Sequence, residues 1–323
     1  MNSVDSETFR ARHAVWVRAM SGEPGDERHA LIPNLVALTW NIACFRTVLR
    51  AREIASRGAP DRRQLSPLIH GLLDRTFVDA VLMGVRRLTG SRSSSSPESL
   101  DHPTRGTYSL IALLSDIQAH RHLVTRGNLL ELDGLPLDAD AVRREEVEWL
   151  RLHSQSAGEA QWVDVPLNLN ARHVEGRHRE IDWLCCTPRD KRSDADVIDP
   201  SRLSAFRTHV LNATEGIHKW ADKYIAHIAS PQSRAAAFAD EVTLRFADLW
   251  KAHEALCRVI AVLDTYLMSR TNHLFLPLPL PSDLAYLDQP LLETAGVPEV
   301  HAFWRQIEKD FQGFSTVDHS LFD

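Results

Sequence analysis

Residues 199–231 read DPSRLSAFRTHVLNATEGIHKWADKYIAHIASP, and this stretch decides the fold. Asp199 places a capping side chain ahead of Pro200, a proline suited to the first helical position. Ser230-Pro231 repeats the arrangement, ending one helix and opening the next. Between them Leu203, Phe206, Val210, Ala213, Ile217, Trp220, Tyr224 and Ile228 recur at spacings of three and four, one continuous apolar stripe. The following segment, 231–270, answers with Phe238, Val242, Leu249, Leu256, Val259, Leu263 and Leu267. Two long stripes joined by a tight turn predict an antiparallel helical hairpin inside a bundle.

Working outward, helical periodicity covers roughly 5–20, 28–57, 66–89, 108–126, 138–155, 170–185 and 292–311. The expectation is an all-α helical bundle, a single domain over 1–323. Residues 90–107, GSRSSSSPESLDHPTRGT, are polar and serine-rich, so 91–105 is expected to be a mobile loop. The prolines of LFLPLPLPSD forbid a helix across 272–290, and its leucines suggest an extended C-terminal strap before the last helix. Short β pieces near 161–169 stay open, and no internal repeat is visible.

The chain has 323 residues, 44% hydrophobic and 25% charged, with a net charge of −6. No global basic field is present to collect nucleic acid, so any RNA contact must be local. The basic residues are almost all arginine, and the lysines are Lys191, Lys219, Lys223, Lys251 and Lys309. Arginine excess suits phosphate or carboxylate recognition. Cys44, Cys185, Cys186 and Cys257 form no C-x-x-C pair, and the adjacent Cys185 and Cys186 read as buried thiols of a reducing cytosol. The opening MNSVDSETFR lacks the pattern of a secretory signal. No run of 18 or more apolar residues occurs, so a cytoplasmic protein without a membrane span is expected.

Three passages together resemble the HEPN superfamily, particularly the AbiU-like proteins of bacterial abortive infection. They are LLDRTFVDAVLMGVRRLTG at 72–90, YSLIALLSDI at 108–117 and WADKYIAHIAS at 220–230. They lie within an approximate HEPN-like region of 28–270. The resemblance implies a helical bundle, a homodimer, and in many members a metal-independent ribonuclease pairing an arginine with a histidine a few residues later. His227 falls at the motif histidine, with Asp222 and Lys223 at the polar positions before it. At the arginine position stands Ala221.

At about 100° per residue, His227 lies roughly 80° from Ile217 and Lys223 about 120° on the same flank, with Asp222 on the other. That puts His227 at the edge of the core, where an imidazole can move protons or simply bond a neighbouring helix. Arg121 falls in the centre of the stripe Leu110, Leu114, Ile117, Val124. Arg87 falls at the edge of the stripe Ile69, Leu73, Phe77, Ala80, Gly84. Inward arginines must be paired or line a polar cavity, unless the core has already ended at the helix terminus. The alternative to such an ended core is that Arg87, Arg121, Lys223 and His227 converge on one anion pocket, replacing the missing arginine from other helices.

Two E-x-x-H pairs, Glu175/His178 and Glu215/His218, have the spacing of carboxylate metal sites. Glu215 and His218 fall outside the apolar stripe, so no metal or other cofactor is expected. Two functions remain: a HEPN-like defence or toxin–antitoxin protein that binds or cleaves RNA without a metal, or a non-catalytic HEPN-derived interaction protein. Partners would be RNA, a second copy, or an antitoxin, with Trp16, Trp40, Trp149 and Trp304 as candidate interface residues.

Overall fold

The computed structural model describes residues 3–58, 67–90, 100, 108–154, 165–166, 168, 170–225, 232–233, 244–270, 275, 298, 301–303 and 305. The helices are α1 Ser3–Ser21, α2 Leu31–Gly58, α3 Pro67–Thr89, α4 Leu110–Ala119, α5 Arg126–Leu132, α6 Ala139–Ser154, α7 Ala171–Cys185, α8 Pro200–Trp220 and α9 Phe246–Tyr266. No strand occurs among the described residues, where an antiparallel bridge joins Thr125 to Val197. The protein is an all-α helical bundle. Its chain divides into two compact units, residues 1–46 with 70–277, and residues 47–69 with 278–323. The described part of the smaller unit is mainly the tail of α2, with Arg50 paired to Glu53 and with Leu49 and Ile54 exposed.

In the larger unit α4 is the central helix. Leu110 through Ile117 are all buried, the signature of a helix surrounded on every side. Ser109 caps it by accepting from the Ala112 N–H at 3.2 Å. α2 contributes Leu31, Leu35, Leu38 and Ile42 to the core at spacings of three and four. Gly84 lets α3 approach closely, since a Cβ there would sit 3.1 Å from Leu38 Cδ1. Among the described residues α8 and α9 pack more extensively than any other helix pair. They run in opposite directions, because Trp183 touches both Phe206 near the start of α8 and Tyr266 at the end of α9. Asp199 caps α8 through the Ser201 N–H at 2.7 Å, with Pro200 at its first position. The described helical segment of 231–270 is Phe246–Tyr266 together with Gln232 and Ser233, so the turn at 226–231 lies outside the described residues.

Buried charge anchors the loop 186–199. Arg126, fully buried, donates to Asp182 at 2.7 Å and Asp196 at 2.9 Å. Arg192 reaches Asp182 at 2.6 Å and Glu175 at 3.1 Å, and Arg177 donates to Asp133 at 2.6 Å. The same packing pushes the Cys185 thiol up to about 12 through burial. Burial, with Arg192 and Arg126 beside it, lowers the His178 imidazole below its usual value.

Several expectations need correction. The helix read at 108–126 stops at Ala119, and a 3-10 turn over Arg121–Leu123 precedes α5, so Arg121 occupies no helical stripe. Helix α8 passes into a π turn, Ala221–Ile225, and Tyr224 is exposed rather than in the stripe. A π turn widens the spiral, so phases projected from Ile217 at 100° per residue fail beyond it. Cys186 is exposed, since it caps α7 with a left-handed φ of 53°. Trp16 is fully buried and donates to Asp116 at 2.6 Å, which removes it as an interface residue. Residues Leu31–Ile54 of α2 are long and apolar enough to cross a membrane by length and composition alone. The interrupted apolar pattern conceals this, and Leu31, Leu35, Leu38 and Ile42 within that stretch belong to the core. The expected loop at 91–105, the strap over 272–290, most of the helix at 292–311, the β pieces near 161–169 and Trp304 lie mainly or wholly outside the described residues.

Candidate functional site

A cavity of about 770 Å³ opens where the start of α2, the end of α3 and the approach to α4 meet. Arg28 and His29 reach it from the 3-10 turn Glu27–His29, Ala30, Leu31 and Asn34 from the first turn of α2. Met83, Arg86, Arg87 and Leu88 come from the last turns of α3, with Gly90 just beyond, and Tyr108 and Ser109 close the wall. Local chemistry places each part. Gly90 adopts φ 80° and returns its N–H to Arg86 O at 2.9 Å, a left-handed cap that stops α3 with its arginines at the rim. Asn34 Nδ2 donates to Arg28 O at 2.9 Å and Ala30 O at 2.7 Å, pinning the turn that carries Arg28 and His29.

Among the described residues the lining holds three guanidiniums and one imidazole, and no carboxylate. Arg28 and Arg87 are exposed and make no ion pair among the described residues. Arg86 is different: its Nη1 lies 2.6 Å from Asp222 Oδ1, close but without an aligned hydrogen bond. His29 Nε2 stands 3.4 Å from Asp26 Oδ1 at the outer edge. Two positive charges are thus left unbalanced around one concavity, an arrangement that favours anions.

The ends of α3 and α8 are locked together beside this pocket. Thr89 donates to Val85 O at 2.8 Å and therefore accepts from His218 Nε2 at 2.5 Å. His218 therefore does not face away from the bundle, because α3 covers a second side of α8. Glu215 stays exposed and pairs with Lys219 at 3.0 Å. Glu175 is taken up by Arg192, and among the described residues no group of three metal-ligating side chains gathers.

Of the residues singled out in the sequence, Arg87 lines the pocket and Asp222 pairs with its neighbour Arg86. Lys223 Nζ donates to Ser233 Oγ at 2.8 Å. Arg121 lies past the far end of α4 from Ser109, about 15 Å away along the helix axis. It does not join Arg87. His227 lies outside the described residues. Ala221, at the position of the missing arginine, is fully buried and has no room for one without repacking. Sequence reading missed Arg28, His29 and Asn34. Their signal was an Arg-His pair directly before a helix whose first turn carries no acid. No family model, no curated protein and no solved structure matches the chain.

Proposed function

We propose that the chain binds RNA, and that the phosphate backbone is held in the Arg28–Arg86–Arg87 pocket. The observation that carries this reading is the acid-free lining with Arg28 and Arg87 unpaired among the described residues. Planar guanidiniums match phosphate oxygens two at a time. The likeness of the 72–90, 108–117 and 220–230 passages to HEPN proteins supports the same reading, and with it a role in bacterial defence or a toxin–antitoxin pair. The ion pair between Arg86 and Asp222 sets the pocket beside the segment that leads to His227. In the catalytic form of the proposal His227 transfers a proton, Arg87 stabilises charge on phosphorus, and no metal takes part.

A second reading, RNA binding without cleavage, is favoured by a separate observation. Asp222 is occupied by Arg86 and Lys223 by Ser233, and buried Ala221 offers no charge at all. One experiment separates the two. The purified chain is incubated with single-stranded RNA in EDTA, and both retention and strand length are measured. Retention lost in an Arg28→Glu, Arg87→Glu variant supports the pocket. Shortening of the RNA that disappears in His227→Ala supports cleavage, and intact RNA supports binding alone. Absence of retention by the native chain contradicts the proposal.

A further inference from the structure

We propose that this pocket recognises a terminal phosphomonoester, at the end of an RNA strand or on a free mononucleotide, in preference to an internal phosphodiester. The strand form of this inference rests on the RNA-binding reading above, whereas the mononucleotide form does not.

Charge is the first argument. An internal phosphodiester carries one negative charge, while a phosphomonoester carries about −1.5 to −2 at neutral pH. The pocket's own balance calls for the larger value. Arg86 is matched by Asp222, and among the described residues Arg28 and Arg87 remain as two unmatched cations at the same cavity. One phosphodiester would balance only one of the two charges, whereas a phosphomonoester dianion balances both.

Shape is the second. A cavity of about 770 Å³ is far larger than a phosphate group and falls within the range of small-molecule sites. Behind the arginines half-buried Met83 and Tyr108 face the cavity, with Leu31, Leu88 and Ser109 buried beneath them. Met83 and Tyr108 therefore offer apolar and aromatic surface to a nucleoside body while the rim holds its phosphate. The start of α2, without an acid in its first turn, adds a favourable dipole to the same opening.

The test uses the full chain and one short single-stranded RNA in three forms: 5′-phosphorylated, 3′-phosphorylated and with hydroxyls at both ends. Affinities are read by fluorescence anisotropy, and a nucleoside 5′-monophosphate and its unphosphorylated nucleoside are titrated by calorimetry. One phosphorylated strand should bind roughly tenfold more tightly than the hydroxyl strand, the scale of one added charge-assisted contact. The nucleoside monophosphate should bind and its nucleoside should not. Arg28→Gln and Arg87→Gln should each erase these preferences with an unchanged melting curve. Equal affinity for all three strands overturns the inference and leaves RNA binding standing. Monophosphate binding that depends on Arg87, without any strand binding, upholds the inference for mononucleotides and overturns the RNA reading. Binding of neither class overturns both.

Discussion

Arg86 Nη1 stands 2.6 Å from Asp222 Oδ1, and this pair ties the last turn of α3 to the π turn that follows α8. Both side chains are partly exposed, so the pair should add less than about 1 kcal/mol to stability. Its larger effect is on charge. Asp222→Asn should leave the melting temperature nearly unchanged and raise RNA affinity severalfold, because Arg86 then faces the pocket uncompensated. Anisotropy with a labelled RNA checks this, and weaker binding by the variant would show that Asp222 serves the ligand itself.

Arg126 and Arg87 should behave as opposites. Arg126 is fully buried between Asp182 and Asp196, so Arg126→Leu leaves Asp196 without its cation, while Asp182 keeps Arg192, and should cost about 3 kcal/mol. Arg87 is exposed, and Arg87→Leu should change stability by less than about 0.5 kcal/mol while weakening RNA binding severalfold. Urea denaturation of both variants measures the contrast. Similar losses in the two would contradict it.

Acid should loosen the 186–199 loop. The hydrogen bond from Arg192 holds Glu175 below its ordinary value of 4.5. Burial pushes Asp182 up, but Arg192 and Arg126 prevail and leave it below its ordinary 3.8. Because both folded values are depressed, their contribution is present above the ordinary range and disappears as pH falls through it and below. Stability measured from pH 6 downward should therefore hold and then drop from about pH 4.5. Arg192→Gln should flatten much of that drop, and an unchanged profile would show that these carboxylates are not the source.

Gly90→Ala tests the cap that presents the arginines. At φ 80° an alanine costs about 1 kcal/mol or more, since its Cβ crowds the backbone in the left-handed region. The melting temperature should fall by a few degrees and RNA binding should weaken with it. Unchanged values for both would mean that the end of α3 does not depend on this turn.

Much of the bundle was legible because its helices carry their own punctuation. Asp199-Pro200 and the stripe through Leu203, Val210 and Ile217 specified a helix that starts and packs as read as far as Trp220. Legibility failed where backbone geometry changes without a sequence mark. Nothing in HRHLVT announces that α4 ends at Ala119, and so Arg121 was placed on a stripe that does not exist. The π turn at Ala221–Ile225 carries no distinguishing residue either, and it displaces Tyr224. Arg87 was legible as an arginine at the end of an apolar face. Arg28 was not, because it joins Arg87 only through a tertiary approach of two helix ends that no periodicity encodes.

The salt dependence of RNA binding tests the central claim most directly. Each phosphate contact from an arginine steepens the fall of log K with log salt by roughly 0.7 for single strands. The native chain should show a clear negative slope, and the Arg28→Gln, Arg87→Gln double variant should be shallower by about 1.4 with an unchanged circular dichroism spectrum. A double variant that keeps the native slope and affinity, or a native chain that binds no RNA at low salt, would contradict the account.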